Sequence, residues 1–495
     1  MTRLHPLTVP IRVVNTVGSL IAVAVFSVVI GGAEIPGSRP VAVTIAGLGL
    51  LAVLGYQYAY YRRFEYALEG DTIDISSGVF SRQHREIPRG RVQNVDISQG
   101  IVQRVLGIAA VDFETAGGGS TEAKLRYVGV AEAQRIQDVF RGGARRSAGE
   151  QTAETEPGQE LFALDQRALL VLSALSFDLR VFSAVQTVGA IASPTVFGLV
   201  FDGPMSQQLL RIGLAGVGLL LTGWLLGAAV TFTRYYGFRL SKRDDELRYE
   251  RGLLQRYSGT IPLEKIQTLT VKENLFMRRF GYAALGIETA GYAGSESPGG
   301  GSEAAVPLER REDVVALARS LEPFESIALS RPPDRARRRY RRRYWLGTAI
   351  LAAAVSAIVV WVGESVLWWA VPAGIAITGG LLAGPAARRA HRSRGYELQD
   401  GYIVSRLGWW RRRTTVVPDY RVQTVIDRRT VFQRRWSLAT VEFDTAGSLS
   451  LTGPSAQAVD IDAEEAATVQ ATAASHLQEA LRVRRRDRLD RGPTS

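Results

Sequence analysis

The sequence predicts membrane α-helical hairpins alternating with small β-barrel domains, in three repeats of two transmembrane helices plus a barrel capped by a C-terminal helix. Three observations predict it: long apolar runs arrive in pairs, turn-punctuated extended segments follow each pair, and those segments match one another. Composition agrees. The 495 residues are 46% apolar with a mean hydropathy of +0.02, as expected of mixed membrane and soluble parts. The 60 basic residues are nearly all Arg and cluster beside the apolar runs. A net charge of +12 therefore marks a membrane protein before it marks a nucleic-acid partner, and no nucleic acid is expected. The chain has no Cys, which excludes disulfides, thiolate metal sites and cysteine nucleophiles.

The apolar runs cover roughly 13–33, 40–61, 181–201, 209–233, 344–362 and 366–387, each long enough for about 30 Å of hydrocarbon. Arg3 and Arg12 precede the first, which is followed directly by another, so an uncleaved anchor is expected. Within each pair the connection is short: Glu34 to Arg39, Asp202 to Gln208 and Gly363 to Ser365. The opposite ends are basic. Arg62 and Arg63 follow the second run, Arg234 the fourth, Arg388, Arg389, Arg392 and Arg394 the sixth, and an Arg-rich stretch from Arg335 to Arg343 precedes the fifth. The positive-inside rule then puts both termini and every soluble segment on the cytoplasmic side of the cell membrane. The runs lack charged residues at their centres, and His5, His84, His391 and His476 all lie outside them, which disfavours ion paths and proton relays. Gly213, Gly216 and Gly218 suggest a helix-packing seam.

Aligned on one Pro, the soluble segments match without gaps. The first reads Gly78, Ile87-Pro88, Val92-Gln93-Asn94, Arg104, Gly107 and Glu114-Thr115-Ala116-Gly117. The second reads Gly252, Ile261-Pro262, Ile266-Gln267-Thr268, Arg278, Gly281 and Glu288-Thr289-Ala290-Gly291. The third reads Gly408, Val417-Pro418, Val422-Gln423-Thr424, Arg434, Ser437 and Asp444-Thr445-Ala446-Gly447. Shared spacing across the three copies makes this an internal repeat. Turn formers such as Glu69-Gly70-Asp71 and Ser77-Gly78 separate alternating runs, a meander of about seven strands. Helical periodicity closes each copy at roughly 130–141, 309–321 and 462–482, as with Val314, Leu317, Ala318 and Leu321. A meander with one terminal helix suggests a closed or split barrel of pleckstrin-homology (PH) topology.

Paired spans before a β domain carrying Ile-Pro, Val-Gln and Thr-Ala-Gly resemble the bacterial pleckstrin-homology membrane-flanked domain family of the YdbS and YdbT type, and three copies look most like the YdbT type. The resemblance covers nearly the whole chain and implies architecture; the family offers no catalytic residues to carry over. The linker 142–160 and the tail after about 484 lie outside the resemblance. The residues divide the chain into a hairpin at 1–63, a PH-like domain at 64–141, a disordered linker with an interfacial helix at 142–177, a hairpin at 178–235 and a domain at 236–322. A basic linker at 323–343, a hairpin at 344–393, a domain at 394–484 and a basic tail at 485–495 complete it.

Pro88, Pro262 and Pro418 are expected to end or bend a strand, since Pro cannot donate into a ladder. Gln93, Gln267 and Gln423 are expected to satisfy backbone groups, while Thr115, Thr289 and Thr445 with Gly117, Gly291 and Gly447 turn a strand. Glu114, Glu288 and Asp444 have no recurring His or second acid, so no catalytic constellation, metal site or cofactor site is assembled and an enzyme is not expected. The candidate contacts for lipid or protein are Arg104, Arg278 and Arg434 on a recurring apolar turn, and Arg411, Arg412 and Arg413 beside Trp409 and Trp410. Trp suits the bilayer interface and Arg suits anionic headgroups. The expected function is a non-enzymatic membrane scaffold, with a role in envelope maintenance, whose three tethered domains bind anionic lipid headgroups or membrane and cytoplasmic proteins. A six-span transporter or export component is the alternative.

Overall fold

The computed structural model describes residues 2–13, 16–17, 38–69, 72–115, 123–146, 159–176, 179–191, 204–289, 305–325, 327–362, 369–445 and 456–490. It divides into two compact units, Met1–Pro157 with Leu254–Thr260, and Gly158–Leu253 with Ile261–Ser495.

In the first unit the order is β1 (Thr2–Arg3), α1 (Ser38–Arg63), β2 (Glu65–Glu69), β3 (Thr72–Ser77), β4 (Gln83–Pro88), β5 (Val92–Gln99), α2 (Ile101–Val105), β6 (Ile108–Thr115), β7 (Ala123–Gly129) and α3 (Val130–Arg146). One sheet runs β1-β2-β3-β4, and β7-β6-β5 form part of another. Alternation builds the core: Ile73 and Ile75 of β3 point inward, joining Phe64, Tyr66, Val111, Phe113 and Leu125. Ala133 and Ile136 of α3 bury into the same cluster. Gln137 of α3 donates to the Val95 carbonyl at 3.0 Å, which ties the helix to β5.

The barrel is not closed. A single 3-10 turn, Arg89–Arg91, separates β4 from β5, yet the two strands belong to different sheets. The physical reason is occupancy: the outer edge of β5 is filled by the segment Arg256–Ser258, with Arg256 opposite Gln99, Tyr257 opposite Ser98 and Ser258 opposite Ile97.

The second unit contains β8 (Gln159–Ala163), α4 (Gln166–Leu175), α5 (Leu179–Ile191), α6 (Met205–Tyr235), β9 (Arg239–Arg243), β10 (Glu246–Arg251), the last two residues of the second copy's third strand (β11, Arg256–Pro262, whose first five belong to the first unit), β12 (Ile266–Asn274), α7 (Leu275–Arg279), β13 (Tyr282–Thr289), β14 (Val306–Arg310) and α8 (Arg311–Leu321). There follow α9 (Asp334–Val362), α10 (Ala370–Arg392), β15 (Gly395–Gln399), β16 (Tyr402–Leu407), β17 (Arg411–Pro418), β18 (Val422–Arg428), α11 (Val431–Arg434), β19 (Leu438–Thr445), β20 (Ala456–Asp462) and α12 (Ala463–Asp490). A six-stranded sheet runs β14-β13-β12-β17-β16-β15, so β17 of the third copy pairs with β12 of the second. The sheet β18-β19-β20 packs under α12 through Val441, Phe443, Ala466 and Val469.

Four expectations change. Helix α3 continues to Arg146, and the stretch expected as a disordered linker holds β8, while α4 falls where the short helix is expected. Strand β8 pairs with β9, and Phe162 packs against Phe238 with ring centroids 6.0 Å apart. The same relation recurs in the other copies: Thr2 and Arg3 pair with Tyr66 and Glu65 of β2, and Ser330 forms an isolated bridge to Tyr396 of β15. The Arg-rich stretch expected as a linker begins helix α9 itself. Finally, among the described residues a Cβ added to Gly213, Gly216 or Gly218 would meet nothing within 4 Å, whereas one on Gly223 would lie 2.9 Å from Phe182 and one on Gly379 2.2 Å from Thr348, the close helix contacts that the described residues show.

Among the described residues three helices are long and apolar enough to cross a membrane, over Gly213–Tyr235, Asp334–Val360 and Ala370–Arg392, matching the expected runs at 209–233, 344–362 and 366–387. The run at 40–61 lies within helix α1. The run at 13–33 falls almost entirely outside the described residues, and that at 181–201 is described only to Ile191.

Candidate functional site

In every copy the turn after the recurring Gly carries two apolar residues: Val79-Phe80, Leu253-Leu254 and Trp409-Trp410. The geometry demands Gly. Gly78 has φ +112° and a Cβ there would lie 1.8 Å from the Ser81 carbonyl oxygen; Gly408 has φ +82° and 2.1 Å to that of Arg411. With the chain turned so tightly, the next side chains are thrust outward: Phe80 is 93% exposed and Trp410 53%.

These tips hold to the ends of the apolar helices. In the first unit the Arg63 guanidinium donates to the Val79 carbonyl, and the Phe80 ring stacks on Tyr56 of α1 at 6.1 Å. Tyr56 precedes Arg63 by about two turns, roughly 10 Å along the helix, so Phe80 reaches past the Arg pair toward the apolar part of α1. In the second unit the Gly252 and Leu253 amides donate to the carbonyls of Tyr236 and Thr233 at the end of α6, each at 2.8 Å. Trp409 packs with Tyr340, Ala387 and Trp436 where α9 and α10 meet the third copy.

A second apolar turn follows the strand after the recurring Pro in each copy. Helix α2 exposes Ile101, Val102, Val105 and Leu106; α7 exposes Phe276 and, just beyond it, Phe280; α11 exposes Val431 and Phe432. Their N-caps differ in chemistry. Asn274 accepts from the Met277 amide at 2.7 Å, and Thr430 with Gln433 forms a capping box. The recurring Arg sits on these turns, with Arg104 and Arg434 exposed and Arg278 donating to the Trp409 carbonyl. Burial and then the nearby Arg412 hold the Arg278 pKa below its usual value.

The basic run of the third copy divides its labour. Arg411 and Arg413 are exposed. Arg412 instead makes a bidentate pair with Glu273, at 2.7 and 2.6 Å, and the Glu273 side chain is 1% exposed. Arg311 reaches the same carboxylate at 3.6 Å. Arg406, close by, is pushed down to about 10 by burial and then by Arg412 and Arg311. Arginines of α9 are likewise engaged: Arg335 pairs with Asp462, Arg339 with the buried Asp460, and Arg342 lies over Trp436 at 4.8 Å. Arginines that the sequence marks as orienting the chain in the membrane also fasten α9 to the domain beside it.

The remaining repeat residues lie in structural positions. Pro88, Pro262 and Pro418 end β4, β11 and β17. Gln267 is buried with its amide 3.4 Å from the Lys265 carbonyl, whereas Gln423 is exposed. Thr289 and Thr445 are buried at the ends of β13 and β19. Thr115 ends β6. The side chain of Gln93, and Gly117, Gly291 and Gly447, lie outside the described residues. Among the described residues no group of His, Asp and Glu could hold a metal. The apolar pair after each Gly was legible in the repeat alignment, but only its exposure and its bonds to the helix ends single it out.

The arrangement is chemically simple: apolar side chains flanked by Arg, on turns joined to apolar helices, suit the boundary between hydrocarbon and headgroups. The family model for the bacterial PH domain matches residues 14–143, 185–324 and 344–477. The chain is 30% identical over 299 residues to the UPF0699 transmembrane protein YdbT of Bacillus subtilis (strain 168), covering 57% of this chain and 61% of that protein. It thus spans less than two thirds of that relative. No solved structure matches. With the family model matched three times, each match taking in the strands and apolar turns just described, the chain belongs to the bacterial PH domain family.

Proposed function

We propose that the protein is a six-span, non-enzymatic scaffold of the cytoplasmic membrane, with both termini and its three PH-like domains in the cytoplasm, whose domain tips lie in the bilayer surface and gather anionic lipid. The observation that carries this reading is the attachment of the exposed tips to the apolar helices: Phe80 on Tyr56, and the Gly252 and Leu253 amides on the end of α6. A tip fixed there has no water-filled path away from the membrane, so burying its apolar side chains in the headgroup boundary offsets their exposure. Arg104, Arg411, Arg413 and Arg434 then meet phosphates, each contributing about 1 kcal/mol near an anionic surface. Arg278 and Arg412 hold their neighbours in place instead. Three tips on one chain add by effective concentration, so weak individual contacts suffice. The charge distribution favours this reading over a transporter, because the basic and apolar groups gather at the domain tips.

Full-length protein in nanodiscs containing lipids brominated at defined depths tests the reading. Trp410 fluorescence is expected to be quenched by shallow bromines, with the quenched component missing from Trp410→Phe. Native mass spectrometry is expected to show retained anionic lipid that falls when Arg434 and Arg411 become Gln. Unquenched Trp410 with unchanged lipid retention would overturn it.

A further inference from the structure

The strand that follows the recurring Pro has an outer edge, and in the first two copies that edge is filled in the same register. In the first unit Arg256 lies opposite Gln99. In the second, Arg412 lies opposite Glu273 and Arg413 opposite Lys272. Arg256 stands to Pro262 as Arg412 stands to Pro418, and Gln99 stands to Gln93 as Glu273 stands to Gln267, so one docking rule operates twice. Docking seals the receiving strand: Gln267, Thr268 and Thr270 of β12 are 5%, 0% and 3% exposed.

Strand β18 is the third receiving strand. It pairs with β19 on one side, and among the described residues no strand pairs with the other. Its exposure reports the difference. Gln423 and Thr424 are exposed where Gln267 and Thr268 are buried, and Ile426, the counterpart of Thr270, is 43% exposed. The edge holds no Pro, and an uncovered edge of this kind is a template for another chain. At the position of Gln99 and Glu273 the third copy carries Arg429, and at that of Ser98 and Lys272 it carries Arg428, whose side chain is 67% exposed. Arg429, the residue after β18, rests on Asp427 at 2.6 Å and on the Ala463 carbonyl, and Arg428 lies 3.6 Å from Glu442.

We infer that the outer edge of β18 receives an extended segment of another protein whose acidic side chains take the places that Arg412 and Arg413 occupy at β12. The polarity of the internal junction is reversed: there the receiving strand supplies the carboxylate and the incoming strand the guanidinium. Backbone pairing along the edge would supply affinity and the reversed charges selectivity. A second copy of this chain fits less well: its corresponding segment, Arg82 and then Gln83 at the start of β4, would stand opposite Arg429 and Arg428 and offers no carboxylate at either place.

The test uses the full-length protein in nanodiscs and two labelled peptides spanning residues 409–418, one with the native sequence and one with Arg412→Glu and Arg413→Glu. The acidic peptide is expected to bind about tenfold more tightly than the native one, and to slow amide hydrogen exchange in β18 but not in β12. Exchanging Arg428 and Arg429 for Glu should invert the preference, with unchanged protection of β12 showing that the variant is folded. Equal binding of both peptides, or no slowing in β18, would overturn the inference. So would protection of β18 in protein alone that disappears when a dimer is diluted to monomer, because the occupant would then be a second copy.

Discussion

At the scale of single residues, the tip glycines and one buried carboxylate make the sharpest statements. Gly408→Ala places a methyl 2.1 Å from the Arg411 carbonyl oxygen at a positive φ, so the turn must open. A loss of about 1–3 kcal/mol is expected, read as a lower thermal midpoint in detergent. Gly401, with φ +82° but open space around its Cβ, should cost less when changed to Ala, which separates the clash from the backbone preference. Asp419 is buried, and its pKa is raised to about 6 by burial, against the pull of His476 at 3.3 Å. A carboxyl raised in the folded state binds its proton more tightly there than in the unfolded chain, so folding stability falls as pH rises from about 4 to 6. Asp419→Asn is expected to remove that slope in midpoints measured from pH 4 to 7. An unchanged slope would assign it to other groups. The Gly positions stand out in the repeat alignment, whereas nothing in the local sequence distinguishes Asp419 from Asp400, because burial depends on α12 packing over it.

Elements differ in how much of their role the sequence disclosed. Strands and terminal helices follow from alternation and helical spacing, which are local properties, and α8 and α12 begin close to where the periodicity puts them. Contacts between elements do not follow from such patterns. The glycines Gly213, Gly216 and Gly218 form the more conspicuous small-residue series, yet Gly379 is the one pressed against Thr348 of the facing helix. Gly379→Leu is therefore expected to force α9 and α10 apart and lower the thermal midpoint, while Gly216→Leu leaves it nearly unchanged. Equal effects would place the seam elsewhere. Strand β8 was hidden for a related reason: five residues beside a polar stretch carry little period of their own, and they become a strand because the edge of β9 is there to receive them.

For the whole molecule, the decisive interactions join one copy to the next. Glu273 is nearly sealed from solvent and balances Arg412 with two short hydrogen bonds. Removing one partner of such a pair leaves a buried charge, so Glu273→Gln alone should destabilise the protein by about 3–5 kcal/mol, while Glu273→Gln with Arg412→Met should recover much of the loss. A double-mutant cycle on unfolding midpoints measures this, and additive losses would show that the pair does not couple the copies. The sequence by itself determined the threefold repeat, the apolar helices, the meander and its capping helix, because each is written in local periodicity or in spacing shared between copies. It also singled out the basic and aromatic residues of the third copy. Only the tertiary structure decided that the barrels stay open, that β5 and β12 each receive a strand, that Arg412 serves a junction while Trp410 stays exposed, and that β18 keeps an uncovered edge. Those outcomes turn on which edges and charges meet across long separations in the chain, and pairing of that kind leaves no periodic trace in the residues that take part.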